Sequence, residues 1–302
     1  MSVLVVGSVA FDSVKTPFGE VDEALGGSGT YFSVSASYFT DVCLVAVVGE
    51  DFPQEHVDML KSHKIDVSGL ERRPGKTFRW KGYYEYDLNT AHTVDTQLNV
   101  FADFKPELPE NYRDCEYVFL ANIDPVLQAR VLDQVKKPKL VACDTMNFWI
   151  EGKLADLKKT LSRVNLLIIN DGEARELAKE PNIVKAARKI LEWGPSTLIV
   201  KRGEYGALMI DAHSIFSAPA YPLEFVYDPT GAGDTFAGGL MGYLSSNGVV
   251  KEDVMRQAII YGSTMASFNV EDFSLNRLRK LNRDEIDTRF RFFKKMTHFE
   301  DL

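Results

Sequence analysis

Short, unbroken apolar runs set the strongest limit on what this chain can fold into. Val3–Val6, Cys43–Val48, Tyr117–Leu120, Leu140–Ala142, Leu166–Ile169 and Leu198–Val200 are continuous rather than alternating. A strand wetted on one face alternates in polarity. These runs are therefore expected to be covered on both faces, as in a parallel sheet between helices. Stretches of helical period separate them, at about Tyr31–Phe39, Gln54–Ser62, Pro125–Val135, Gly172–Ala178 and Ile183–Glu192. That rhythm predicts an α/β fold with a doubly wound, mostly parallel sheet flanked by helices. The last third, from Thr235, reads as mostly helical. The 302 residues hold no internal repeat and no low-complexity linker, so 1–302 reads as one domain with an appendage.

The appendage lies where the rhythm breaks. Thr77–Phe104 is rich in aromatic and β-branched residues and partly alternates, which predicts antiparallel strands. Phe11–Ala24, with Pro17 and Gly19 as turn residues, adds a hairpin to it. Together, about 11–24 and 68–104 are expected to form a small antiparallel β lid. An unbroken strand would place Phe78, Trp80, Tyr84 and Tyr86 on one face.

Charge narrows the partners. Lys and Arg number 35 against 43 Asp and Glu, giving −8. That balance argues against a nucleic-acid partner, which needs a basic face. A small anion can still bind, because a few backbone amides suffice. Cys43, Cys115 and Cys143 are odd in number and widely spaced, so neither a disulfide framework nor a metal knuckle is expected. No apolar run approaches the ~20 residues of a membrane span. The N-terminal "SVLVVGSVAFD" reads as a first strand rather than a signal peptide. The expected address is cytoplasmic, with no membrane partner.

Ligands in open α/β sheets bind at the carboxyl ends of the strands. Here those ends are polar: Asn122, Asp144, Asn170 and Lys201. The sharpest segment is "YDPTGAGDTFAGGLMGYL", Tyr227–Leu244. Gly231 and Gly233 let the backbone turn tightly in front of a helix. The amides of Gly231, Ala232, Gly233 and Asp234 would then sit at its positive end, as an anion hole. Asp234 at the same point is either a cap or a carboxylate base. Base and amides together suit phosphoryl transfer, which needs positioning and charge stabilisation.

"DPTGAGDTFAGG" resembles the second signature of the PfkB, or ribokinase-like, carbohydrate kinases. "LGGSGTYFSVSASYF" (25–39) is similar to that family's first glycine signature, "NDGEA" (170–174) to its N-x-x-E element, and "VKRGEYGAL" (200–208) to the strand and turn before the nucleotide pocket. "GSVAFD" ends in the family's early Asp, here Asp12. The likeness runs along essentially the whole chain and implies a ribokinase-like fold.

The resemblance implies ATP and Mg²⁺ as cofactors and a hydroxyl, in the first instance a primary one, as acceptor. Asp234 would be the general base, and Gly231, Ala232 and Gly233 the anion hole. An exposed Asp234 would have a pKa near 4, low for a base. Asn170 and Glu173 would organise Mg²⁺, Glu173 through water. Lys201, Gly203 and Gly206 would lie along the nucleotide, and Ser263 near the adenine. Asp228 and Thr230 stand where many members hold a monovalent cation such as K⁺. Asp12, Gly26 and Gly27 would receive the acceptor, with Trp80 and Asn99 from the lid. Tyr31 stands where many sugar-phosphorylating members carry Asn, so the hydroxyl-binding pattern differs here.

The expected function is an ATP-dependent kinase of a small sugar or sugar derivative. A nucleoside kinase is the alternative, favoured by Tyr31 and the aromatic lid, and a non-catalytic sensor is a third reading. An apolar lid face also leaves a homodimer through the lid open. No G-x-x-x-x-G-K-[ST] occurs, so a P-loop kinase is excluded. The H-R-D and D-F-G pair of protein kinases is likewise missing.

Overall fold

The computed structural model describes residues 1–298 and 300. Thirteen strands and ten α-helices alternate along it. The strands are β1 (Ser2–Val6), β2 (Ala10–Thr16), β3 (Gly19–Gly26), β4 (Asp41–Gly49), β5 (Ile65–Arg73), β6 (Phe78–Tyr84), β7 (Ala91–Gln97), β8 (Tyr117–Leu120), β9 (Leu140–Cys143), β10 (Leu166–Asn170), β11 (Thr197–Lys201), β12 (Ala207–Asp211) and β13 (Ile215–Ala218). The helices are α1 (Ser28–Ala36), α2 (Gln54–Ser62), α3 (Pro125–Leu132), α4 (Asn147–Gly152), α5 (Leu154–Leu161), α6 (Asp171–Ala178), α7 (Ile183–Leu191), α8 (Ala232–Asn247), α9 (Glu252–Asn269) and α10 (Arg283–Thr297).

Nine strands form the main sheet, ordered β13-β12-β11-β10-β9-β8-β1-β4-β5. Every neighbouring pair from β5 to β11 is parallel, and β12 and β13 add an antiparallel edge. The apolar runs explain this burial directly. In β1, Val3 and Val5 face a core shared with α1, α8 and α9, while Leu4 and Val6 face one shared with α5, α6 and α7. Strand order reverses at β1, between β4 and β8, which opens a crevice at the carboxyl ends there. Phe32 of α1 stacks on Phe119 of β8 at 4.3 Å beneath that crevice. All three cysteines are free thiols.

A four-stranded sheet, β3-β2-β6-β7, stands beside the crevice. Its two hairpins are antiparallel, but they are joined by a parallel pair, with Ala10 opposite Phe78 and Asp12 opposite Trp80. The appendage starts later than the sequence suggested. Residues 68–73 belong to β5, which pairs with β4 in the main sheet. Edge strands are only half covered, so β5 carries the polar residues that made it resemble a lid strand.

Arg79 fixes the small sheet to the body. It pairs with Asp51 (2.9 Å) and Glu23 (2.6 Å). Asp51 also accepts from the Thr77 amide and hydroxyl, both at 2.7 Å.

Candidate active site

Asp234 lies in the first turn of α8. Gly231 precedes the helix at φ 73°, a conformation open to glycine and strained for other residues. A Cβ at Gly231 would lie 2.4 Å from the Tyr31 ring. Tyr31, 1% exposed, is thus the floor beneath the turn. The Ala232 amide closes the turn onto the Pro229 carbonyl (3.1 Å), and Thr235 N donates to Gly231 O (2.8 Å). The amides of Gly231 and Gly233 have no protein acceptor among the described residues, as expected at a helix start poised for an anion.

Burial pushes the Asp234 carboxyl up to about 7; the nearby Asp144 charge adds to this and Lys201 opposes it. The value near 4 expected for an exposed carboxylate does not apply to this position.

Two polar groups flank Asp234. On one side lies Asp12 of β2, 6% exposed, whose Oδ2 accepts from Gly27 N at 3.3 Å. Gly26 is pressed against that carboxylate, so any side chain there would collide with it. Burial raises Asp12 to about 7, with Asp228 and Asp234 adding repulsion. Trp80 lies next to Asp12 on the small sheet, its indole N–H donating to Thr93 Oγ1 (3.1 Å). The Thr230 hydroxyl donates to Tyr84 Oη (3.4 Å). Burial raises the pKa of both Tyr31 and Tyr84, and each feels Asp12, Asp228 and Asp234. Tyr31, Tyr84 and the three aspartates therefore form one cluster.

On the other side lie the ends of β9, β10 and β11. Lys201 Nζ is 3.3 Å from Asp144 Oδ2, and a Cβ on Gly233 would sit 2.8 Å from that ammonium. Glu173, 9% exposed, is raised to about 7 by burial and then by Asp144. Asn170 and Glu173 form a reciprocal cap on α6: Glu173 N donates to Asn170 Oδ1 (2.7 Å), and Asn170 N donates to Glu173 Oε2 (2.8 Å). Asn170→Ala is expected to destabilise the protein by about 0.5–2 kcal/mol, read as a lower urea midpoint.

Other expected positions are distributed as follows. Gly203 and Gly206 shape the turn after β11, and Asn89 of the small sheet reaches that turn at Gly203. Ser263 lies on α9, 8% exposed, and its hydroxyl makes no hydrogen bond among the described residues. Asp228, 1% exposed, accepts from the amides of Thr230 (2.9 Å) and Ser274 (3.4 Å). Asn99 is not brought into the cluster: it is exposed, and its amide donates to the Thr77 carbonyl. Phe78 stacks on Phe101 at 5.4 Å, and Tyr86, 85% exposed, lies beyond the end of β6. Tyr84 joins the site as a lid aromatic, as expected, and Asp144 and Ser274 join it without having been assigned to it. Asp144 was visible as a polar strand end; Ser274 carried no signal.

No three His, Cys, Asp or Glu side chains converge on a metal site among the described residues. The Thr145 hydroxyl, beside Asp144, is buried and makes no hydrogen bond among the described residues.

Fold and site together define a phosphotransferase of the ribokinase type. The family model described as pfkB family carbohydrate kinase matches residues 2–279. The chain belongs to that family and is an ATP-dependent carbohydrate or nucleoside kinase, working with a divalent metal. A cytidine kinase of Thermococcus kodakarensis is 32% identical over 262 residues, spanning 85% of this chain and 92% of its own. An inositol 3-kinase of Arabidopsis thaliana is 25% identical over 310 residues, spanning 95% and 80%. The structure of a nucleoside kinase from Methanocaldococcus jannaschii superposes with a TM-score of 0.77 at 20% identity, covering 96% of this chain and 98% of that one. No helix among the described residues is long and apolar enough to cross a membrane.

Proposed function

We propose that the acceptor is a nucleoside, phosphorylated on its primary hydroxyl. The observation that carries this reading is the acceptor side of Asp234: one buried carboxylate, Asp12, with the aromatic side chains of Tyr31, Trp80 and Tyr84 around it. A carboxylate accepts hydrogen bonds from ribose hydroxyls, and aromatic faces suit a flat base. Of the two lid cations a phosphorylated sugar could meet, Arg79 is already paired with Asp51 and Glu23, which leaves Lys81 alone on β6. The cytidine kinase relative acts on such an acceptor by its name.

Asp234 takes the hydroxyl proton as the acceptor oxygen attacks the γ-phosphorus of ATP, the bond to the bridging oxygen breaks, and ADP leaves. The free amides of Gly231 and Gly233 face the transferring group, with the Ala232 amide holding their turn. Asn170 and Glu173 lie toward the triphosphate, Glu173 acting on the water shell of Mg²⁺. That ion, when bound, offsets the charge of the phosphates. Gly203, Gly206 and Ser263 border the nucleotide. The small sheet is the lid: Tyr84 and Asn89 already reach the body, and closure keeps water from the phosphoryl group. Its exposed β7 is the face for a homodimer. Asp228 is buried, accepts from two backbone amides and makes no ion pair among the described residues, which suits a monovalent cation such as K⁺ next to Thr230. The compartment that fits free thiols is the cytoplasm.

The test is ADP release from Mg·ATP with nucleosides, pentoses, hexoses and inositols, run in potassium and in choline salts. Turnover with a nucleoside, raised by potassium, is expected. Turnover confined to free sugars or inositols would overturn the nucleoside reading. Equal rates in the two salts would remove the cation from Asp228.

A further inference from the structure

Asp144 and Lys201 form a buried ion pair with no evident structural need. Lys201, at the end of β11, stretches past the end of β10 to reach Asp144 at the end of β9. The carboxylate and ammonium side chains are only 7% and 19% exposed. Burying such a pair is poor value for stability, because desolvation offsets most of the attraction. The backbone on this side is secured independently, since the Gln128 amide donates to the carbonyls of Ala121 and Asp144, each at 2.9 Å.

The ammonium is also incompletely bonded. Asp144 accepts its one hydrogen bond among the described residues, although an ammonium carries three donors. Burial works against its charge, but Asp144, Glu173 and Asp234 outweigh it and hold the lysine protonated. It lies directly against Gly233, whose amide has no protein acceptor among the described residues.

We propose that Asp144 is a positioning residue: through its ion pair it holds the Lys201 ammonium against the Gly231–Asp234 turn, where the unspent donors meet the oxygens of the transferring phosphoryl group. Lys201 is then a catalytic residue at the reacting phosphate rather than a contact along the nucleotide. The inference rests on the phosphotransfer reading of this turn. It deepens that reading by adding a fixed positive charge to the amides, which alone offer only partial charges.

The experiment compares Asp144→Asn, Lys201→Met, the double variant and Asp234→Asn, using Mg·ATP and the acceptor with the highest turnover. Each of the first two is expected to lower kcat by about 10²-fold, the effect of removing one donor to a developing charge, with KM for the acceptor nearly unchanged. The double variant should be no slower than Lys201→Met, because Asp144 acts through Lys201. Asp234 faces Asp144 from β9, Lys201 from β11, Glu173 from α6 and Asp12 from β2, with Tyr31 and Tyr84 beside it. Removing Asp144's charge should move the acid limb of kcat/KM to lower pH, and removing Lys201's should move it to higher pH. The limb shifts report only that both charges reach Asp234; the size of the kcat loss and its non-additivity decide the role. Full kcat in Asp144→Asn or multiplicative losses in the double variant would overturn the proposal. If Asp144→Asn does not fold, Lys201→Met decides: full kcat there would overturn the proposal as well. Full turnover in Asp234→Asn would instead sink the base assignment, independently of the ion pair.

Discussion

Asp234→Asn is expected to lower kcat by about 10²–10⁴-fold, the usual contribution of a positioned base, while leaving ATP binding intact. The amide keeps the shape of the carboxylate but cannot accept the acceptor's proton. The pH profile gives the sharper test. Burial holds Asp234 near 7, and the ionised form is the active one. Wild-type kcat/KM should therefore rise with pH through about 7 and level off above it. Asp12 and Glu173 are also raised to about 7, so the wild-type limb belongs to the group rather than to one residue. Comparison with the variant isolates Asp234: the residual activity should depend less steeply on pH. A variant that turns over at the wild-type rate would end the base assignment.

Gly231→Ala carries the second large effect, and it acts through shape alone. The residue sits at φ 73°, where a side chain costs roughly 1–2 kcal/mol. The added methyl would also enter the Tyr31 ring at 2.4 Å, an overpacking of about 1–3 kcal/mol. Tyr31 cannot move aside easily, since it is 1% exposed and packed in the core of α1 and α8. The turn must move instead, and a shift of about 1 Å at reacting groups costs on the order of 10²-fold in rate. A lower urea midpoint together with that loss of kcat is the expected result. Wild-type stability and rate would show that the turn tolerates a side chain.

Sequence made the chemical turn legible because its reason is local: two glycines, a helix start and an acid within a few residues. The parallel sheet was legible for a similar reason, since burial on both faces leaves unbroken apolar runs. What depended on distant partners was not. Asp144 and Lys201 were each visible as polar strand ends, but they belong to strands separated by β10. Nothing in the spacing says that one side chain crosses to the other. The stripe of lid aromatics divided for the same reason. Tyr84 meets Thr230, Trp80 lies opposite Asp12 and bonds to Thr93, Phe78 turns to Phe101, and Tyr86 lies past the strand end. The acidity of Asp234 was misjudged because burial is a property of the assembled fold. The start of the appendage was misplaced because an exposed edge strand carries the polarity of a lid.

The parallel pairing of β2 with β6 also sets an order of assembly. Ala10 meets Phe78, and the chain between them contains β4, α2 and β5. Closing so long a loop is entropically slow unless the intervening elements have already docked. The β2–β6 pairing therefore forms after β4, α2 and β5 have docked, and β7 at its edge stays exposed. Asp12 rides on β2, whereas Asp234, Lys201 and Glu173 belong to the body. The acceptor-side carboxylate and the donor-side groups thus belong to two sheets, and an alcohol meets a phosphoryl group only while the small sheet is seated on the body.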